Sequence, residues 1–137
     1  MNLAQYRLLL DFGLAVLIWI VQLVVYPSFL FYRREDLLNW HGDYTQKITY
    51  VVLPLMLGQL LAGGLQLWRS VSWYTAFGFL IIVSLWLLTF LVFVPLHGKI
   101  AGGYFDESTL SKLVQWNWLR TALWTLLFVA GLVAYRS

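Results

Sequence analysis

Four runs of this chain are too long and too apolar to fold in water. Phe12–Tyr32, Ile48–Trp68 and Val71–Leu96 contain no charged residue, and Leu113–Tyr135 contains one, Arg120. About 20 apolar residues cross the hydrocarbon of a bilayer as a helix. Backbone amides in lipid have no water to pair with, so each crossing must satisfy its own hydrogen bonds. A composition 61% hydrophobic and only 11% charged is likewise that of a membrane protein. The pattern predicts an all-α integral membrane four-helix bundle, antiparallel and up-down, as a single domain over 1–137. Its helices are expected over about residues 8–32, 40–68, 72–97 and 110–135.

A cleaved leader is the less expected reading of the first run, which is too long for one and ends in Tyr26-Pro27-Ser28-Phe29, not in small residues. Four crossings put both termini, Arg7, Arg69 and Arg136 on one side, here side B. The polar connections Arg33–Lys47 and Lys99–Lys112 fall on side A, and Asp106 or Ser108 is the expected N-cap of the fourth helix. Aromatic residues mark both boundaries, among them Trp68, Trp73 and Tyr135 for side B and Trp40, Tyr104 and Trp116 for side A. Side A carries five lysines and arginines against three on side B, which leaves the cytoplasmic side undecided. A multi-pass protein of the bacterial inner membrane, with lipids as its immediate partners, is the expectation.

The two halves share a pattern: Phe12-Gly13 and Tyr26-Pro27 in one, Phe77-Gly78 and Val94-Pro95 in the other, each followed by a polar loop and a tryptophan pair, Trp40-His41 and Trp116-Asn117. A 2+2 pseudo-repeat and chance likeness between apolar hairpins both account for this. Gly58 and Ala62, followed by Gly63-Gly64, give the small-residue spacing that lets helices approach closely, inside the bundle or in a homo-oligomer.

Several chemistries are excluded. With no cysteine there are no disulfides, thiolate metal sites or cysteine nucleophiles. The basic residues are scattered, which argues against a nucleic-acid partner. His-x-x-x-His spacing is absent and no metal site is expected. Gly98-Lys99-Ile100-Ala101-Gly102-Gly103 lacks the Lys-Ser/Thr ending of a phosphate-binding loop.

The remaining polar residues fall on stripes that converge toward side A: Trp19, Gln22 and Tyr26; His41, Tyr44, Ile48 and Val51; Trp86, Thr89, Phe93 and His97; Asn117, Arg120, Thr121 and Trp124. Steps of three and four keep each set on one helix face. A guanidinium in hydrocarbon costs about 2.5–3.5 kcal/mol on insertion scales, so Arg120 either snorkels to the headgroups or faces protein. Asn117 and Thr121 beside it favour the inward reading, and a carboxylate partner would have to fold in from Asp43, Asp106 or Glu107. Where the stripes meet, a pocket with apolar walls and few polar groups is expected. His41, His97 and Arg120 are the candidate catalytic residues, and Tyr26, Tyr44, Thr89, Asn117, Thr121 and Trp124 the candidate ligand contacts. Two histidines also leave non-covalent haem ligation open, whereas covalent haem would need a C-x-x-C-H motif.

Tyr26-Pro27, Val94-Pro95-Leu96-His97-Gly98-Lys99 and Trp116-Asn117-Trp118-Leu119-Arg120-Thr121 together resemble the DUF1772 membrane proteins, a family that includes the anthrone oxygenase-like proteins. The resemblance spans nearly the whole chain. It implies a four-helix integral membrane protein, linked in some members to cofactor-independent oxygenation of polyphenolic anthrones. His97 departs from that pattern, where a more amide-like residue is expected. Two functions follow as expectations. One is an oxidoreductase-like activity on a small apolar or aromatic molecule, with Arg120 and Asn117 holding an oxyanion and a histidine as base. The other is a non-catalytic membrane subunit or a lipid-, quinone- or haem-binding protein.

Overall fold

The computed structural model describes Met1–Ser137. Its helices are α1 Leu3–Phe31, α2 Arg34–Arg69, α3 Trp73–Ala101 and α4 Glu107–Arg136, each long and apolar enough to cross a membrane, and there is no strand. In this all-α four-helix bundle α1 packs on α2 and α4, and α3 packs on the same two. The diagonals therefore join α1 to α3 and α2 to α4. Leu14, Ile18, Ile82, Leu85 and Leu127 form the middle of the apolar core.

Both side A connections are shorter than the polar sequence suggests. Arg33–Lys47 is helical from Arg34 onward. Glu35 and Asp36 sit in the first turn, where the helix dipole favours acids. Leu37, His41 and Tyr44 are buried along one face while Asp43 and Lys47 pair on the other, so an amphipathic extension reads as a loop when hydropathy is averaged. At the other connection α3 runs to Ala101 and α4 starts at Glu107. The turn between them uses Gly103 at φ +78°, a left-handed conformation suited to glycine. Arg34 locks this turn, donating to the carbonyl oxygens of Gly103 and Phe105 and lying over the Phe105 ring. Asp106 caps α4 through the Thr109 backbone N–H, which holds its carboxyl below the usual carboxylate range.

α1 and α3 share an irregularity. Each widens into a five-residue π-helical segment, Val21–Val25 and Thr89–Phe93, immediately before the residue preceding Pro27 and Pro95. Tyr26 N–H reaches back to the Val21 carbonyl and Val94 N–H to that of Thr89. A proline removes one rung of the helix ladder, and an adjoining π turn re-aims the side chains around it. Their matching placement is a structural counterpart of the sequence likeness between the halves.

The small residues of α2 serve packing within the bundle. A side chain on Gly58 would meet Leu10 of α1 at 3.2 Å, and one on Gly63 would meet Ile82 of α3 at 2.7 Å. Gly63→Leu is expected to overpack the α2–α3 seam and cost about 1–3 kcal/mol, read as a lower midpoint in detergent thermal or SDS unfolding. An unshifted midpoint would show that this seam is not close-packed.

Candidate functional site

α2 and α3 touch around Gly63 and Gly64 and enclose a cavity of about 440 Å³ toward side A. Thr49 and Leu53 of α2 and Phe90 and Val94 of α3 line it and are also exposed on the bundle surface, so it opens sideways toward lipid. Leu17, Ile18, Val52, Met56 and Trp86 form apolar wall, whereas Tyr26, His41, Tyr44, His97 and Arg120 bring polar atoms to it.

These polar atoms form a row. Tyr26 Oη lies 3.0 Å from His97 Nε2, and His97 Nδ1 lies 2.9 Å from His41 Nε2. Arg120 Nη2 donates to Tyr26 Oη at 3.4 Å. α4 starts on side A, so its Cα–Cβ bonds tilt that way and Arg120 leans back toward the row. A guanidinium only donates, so the Tyr26 oxygen accepts and its own proton is available to His97 Nε2. When His97 Nε2 accepts that proton, His97 carries its own on Nδ1 and directs it to His41 Nε2. His41 Nδ1 has no partner in the chain. The row also bridges a diagonal, because Tyr26 of α1 meets His97 of α3 with the π turns of both helices next to the contact.

Arg120, only 8% exposed, is supported from behind. Its Nε donates to Asn117 Oδ1 at 3.0 Å, Asn117 Nδ2 donates to Gln22 Oε1 at 2.9 Å, and Thr121 Oγ1 donates to the same oxygen at 3.1 Å. The guanidinium lies over the Phe93 ring, with Cζ 3.7 Å from its centre, a cation–π contact strengthened by desolvation.

The cavity thus gathers the candidate catalytic residues His41, His97 and Arg120 with Tyr26, Tyr44, Thr89 and Trp124. Asn117 and Thr121 do not line it; they position Arg120 from the far side, through Gln22. Trp19 and Val51, members of the stripes, lie exposed on the outer surface, Trp19 donating to Thr125. None of Asp43, Asp106 and Glu107 reaches Arg120: Asp43 pairs with Lys47, Asp106 caps its helix and Glu107 is exposed. The imidazoles meet edge to edge, ring centres 5.1 Å apart and joined by a hydrogen bond, so an iron held between them would require the pair to part. No group of three or more metal-ligating side chains is present.

A second buried polar cluster lies toward side B. Arg7 and Asp11, which flank the first span in a hydropathy reading, sit inside the bundle as an ion pair at 3.0 Å with both side chains 0% exposed. Arg7 Nη1 donates to Gln66 Oε1, the guanidinium faces the Tyr74 ring, and Gln59 Nε2 donates to Asp11 Oδ1. Gln59 Oε1 in turn accepts from Trp124 Nε1 across the other diagonal. Trp124 lines the cavity, so Gln59 joins the two clusters. The available signal for this one was the i,i+4 spacing of Arg7 and Asp11 together with two glutamines in the uncharged second span.

Comparisons with known protein families, with curated proteins and with solved structures found no match. What the chain itself defines is a multi-pass four-helix membrane protein with an enclosed polar row opening toward lipid.

Proposed function

We propose that the protein takes a small apolar or aromatic molecule from the bilayer, between α2 and α3, and exchanges a proton with it in an oxidoreductase- or oxygenase-like step. The bacterial inner membrane is its proposed location. The observation that carries this reading is the Tyr26 hydroxyl, held between a cation and an imidazole at the polar end of an apolar cavity. A proton leaving the ligand passes to Tyr26 Oη as the Tyr26 proton moves to His97 Nε2 and the His97 Nδ1 proton moves to His41 Nε2. Tyr26 and His97 return to neutrality and His41 ends as imidazolium. Arg120, next to Tyr26, stabilises the negative charge that develops beside it. The resemblance to anthrone oxygenase-like proteins, whose substrates carry acidic protons, agrees with this chemistry.

The second reading, a non-catalytic subunit or a lipid- or quinone-binding protein, rests on the sideways opening of the cavity. Tyr26→Phe separates the two. With a phenolic probe whose ionised form is coloured, wild type is expected to bind it and develop the colour. The variant should bind within about tenfold, the net worth of one hydrogen bond, and stay colourless. Colour retained in Tyr26→Phe would remove the relay and leave the binding reading.

A further inference from the structure

We infer that the occupant of the cavity is bound as an anion and supplies the counter-ion that Arg120 lacks; this rests on the binding reading above and specifies its ligand class. The chain holds six acidic residues, and all are engaged or distant. Asp11 is committed to Arg7, Asp36 lies against Arg33, Asp43 pairs with Lys47, Asp106 caps α4, and Glu35 and Glu107 are exposed in the first turns of their helices. No ion pair includes Arg120. Its neighbours are an amide oxygen, a hydroxyl and two aromatic faces, dipoles that solvate a cation without neutralising it.

The molecule provides its own contrast. It buries two guanidinium groups in membrane-spanning helices. The one with an internal carboxylate, Arg7, is sealed at 0% exposure and lines no major cavity; the one without, Arg120, borders the cavity. Its Nη1 has no hydrogen-bond partner in the chain and is not among the fully enclosed orphan atoms, and the residue lines the cavity. A buried charge without a partner is costly, and here the free donor and the missing charge meet the same opening. The ligand this fits is a membrane-soluble organic acid, with one ionised oxygen at Arg120 and an apolar body toward Met56 and Trp86. A fatty-acid carboxylate and an acidic phenol or enol share that chemistry.

The test uses the detergent-purified full chain and two matched pairs; the quinones are followed by quenching of tryptophan fluorescence, since Trp86 and Trp124 line the cavity, and the dodecyl pair by isothermal titration calorimetry. One pair is dodecanoate and dodecanol; the other is an acidic hydroxynaphthoquinone and its methyl ether. In at least one pair the ionised member is expected to bind about tenfold or more tightly than its neutral partner, as a charge-assisted contact would give, and that pair identifies the source. Asn117→Asp places a carboxylate where Arg120 Nε already donates, and it should erase the preference. Neutral members binding as well as the anions in both pairs would overturn the inference while leaving the binding site intact. Binding by none of the four would overturn the site reading and this inference with it.

Discussion

Asp11→Leu is expected to destabilise the bundle by about 3–5 kcal/mol, the usual cost of stripping the partner from a buried ion. Arg7 would keep only Gln66 and the Tyr74 face, with one of its nitrogens already unpartnered. Relief by side-chain movement is blocked: Gly63 and Gly78 approach Arg7 so closely that an added Cβ would lie 3.5 and 3.0 Å from its terminal nitrogens. Gln59 would also lose the carboxylate it donates to at 2.6 Å. The double variant Arg7→Leu/Asp11→Leu removes both charges and is expected to regain most of the loss, since apolar replacements of buried pairs are often neutral or better. Reversible unfolding in mixed micelles gives both numbers. A double variant as unstable as the single would mean that the cost lies in packing rather than in the orphaned cation.

Much of the fold could be read from hydropathy, because in lipid an uncharged run of this length has few alternatives. The ends could not. Averaging hydropathy hides an amphipathic helix whose buried face is built from Leu37, His41 and Tyr44, and the true link after α1 is Tyr32 and Arg33. The π turn of α1 also escapes a reading by steps of three and four, since it adds a residue to the turn and moves Tyr26 relative to Trp19, whereas Trp86, Thr89, Phe93 and His97 of α3 still share the cavity. For the same reason Trp19, placed on a stripe with Tyr26, lies outside.

The candidate site was legible as a set of residues and not as a mechanism. The sequence placed His41, His97 and Arg120 on one side of the membrane but carried no sign that the imidazoles bond to each other or that Tyr26 links them to the arginine. Those contacts cross between helices, and rotational register within the bundle decides them. Gln22 and Gln59 make the same point: as single amides in apolar runs they resemble incidental polar residues. In three dimensions one anchors Asn117 and Thr121, and the other ties Asp11 to Trp124.

Arg120→Lys is expected to weaken anion binding by roughly 10- to 100-fold, although it keeps the charge. An arginine here does three things at once. It donates through Nε to Asn117 at 3.0 Å, through Nη2 to Tyr26 at 3.4 Å, and sits over the Phe93 ring at 3.7 Å. A single ammonium on a flexible stem cannot hold the first two directions and the ring contact together. Losing one charge-assisted hydrogen bond is worth about 1.5–3 kcal/mol, which at about 1.4 kcal/mol per decade gives the stated range. Lysine would also leave Asn117 Oδ1 without its donor, loosening the link to Gln22 behind it. The titration that measures the wild type applies unchanged, with Asn117→Ala as the companion: its Arg120 keeps charge, Tyr26 and Phe93 and loses only the rear support, so a smaller loss is expected. If Arg120→Lys binds the anion as tightly as wild type, bulk charge alone suffices and the oriented guanidinium has no part in recognition.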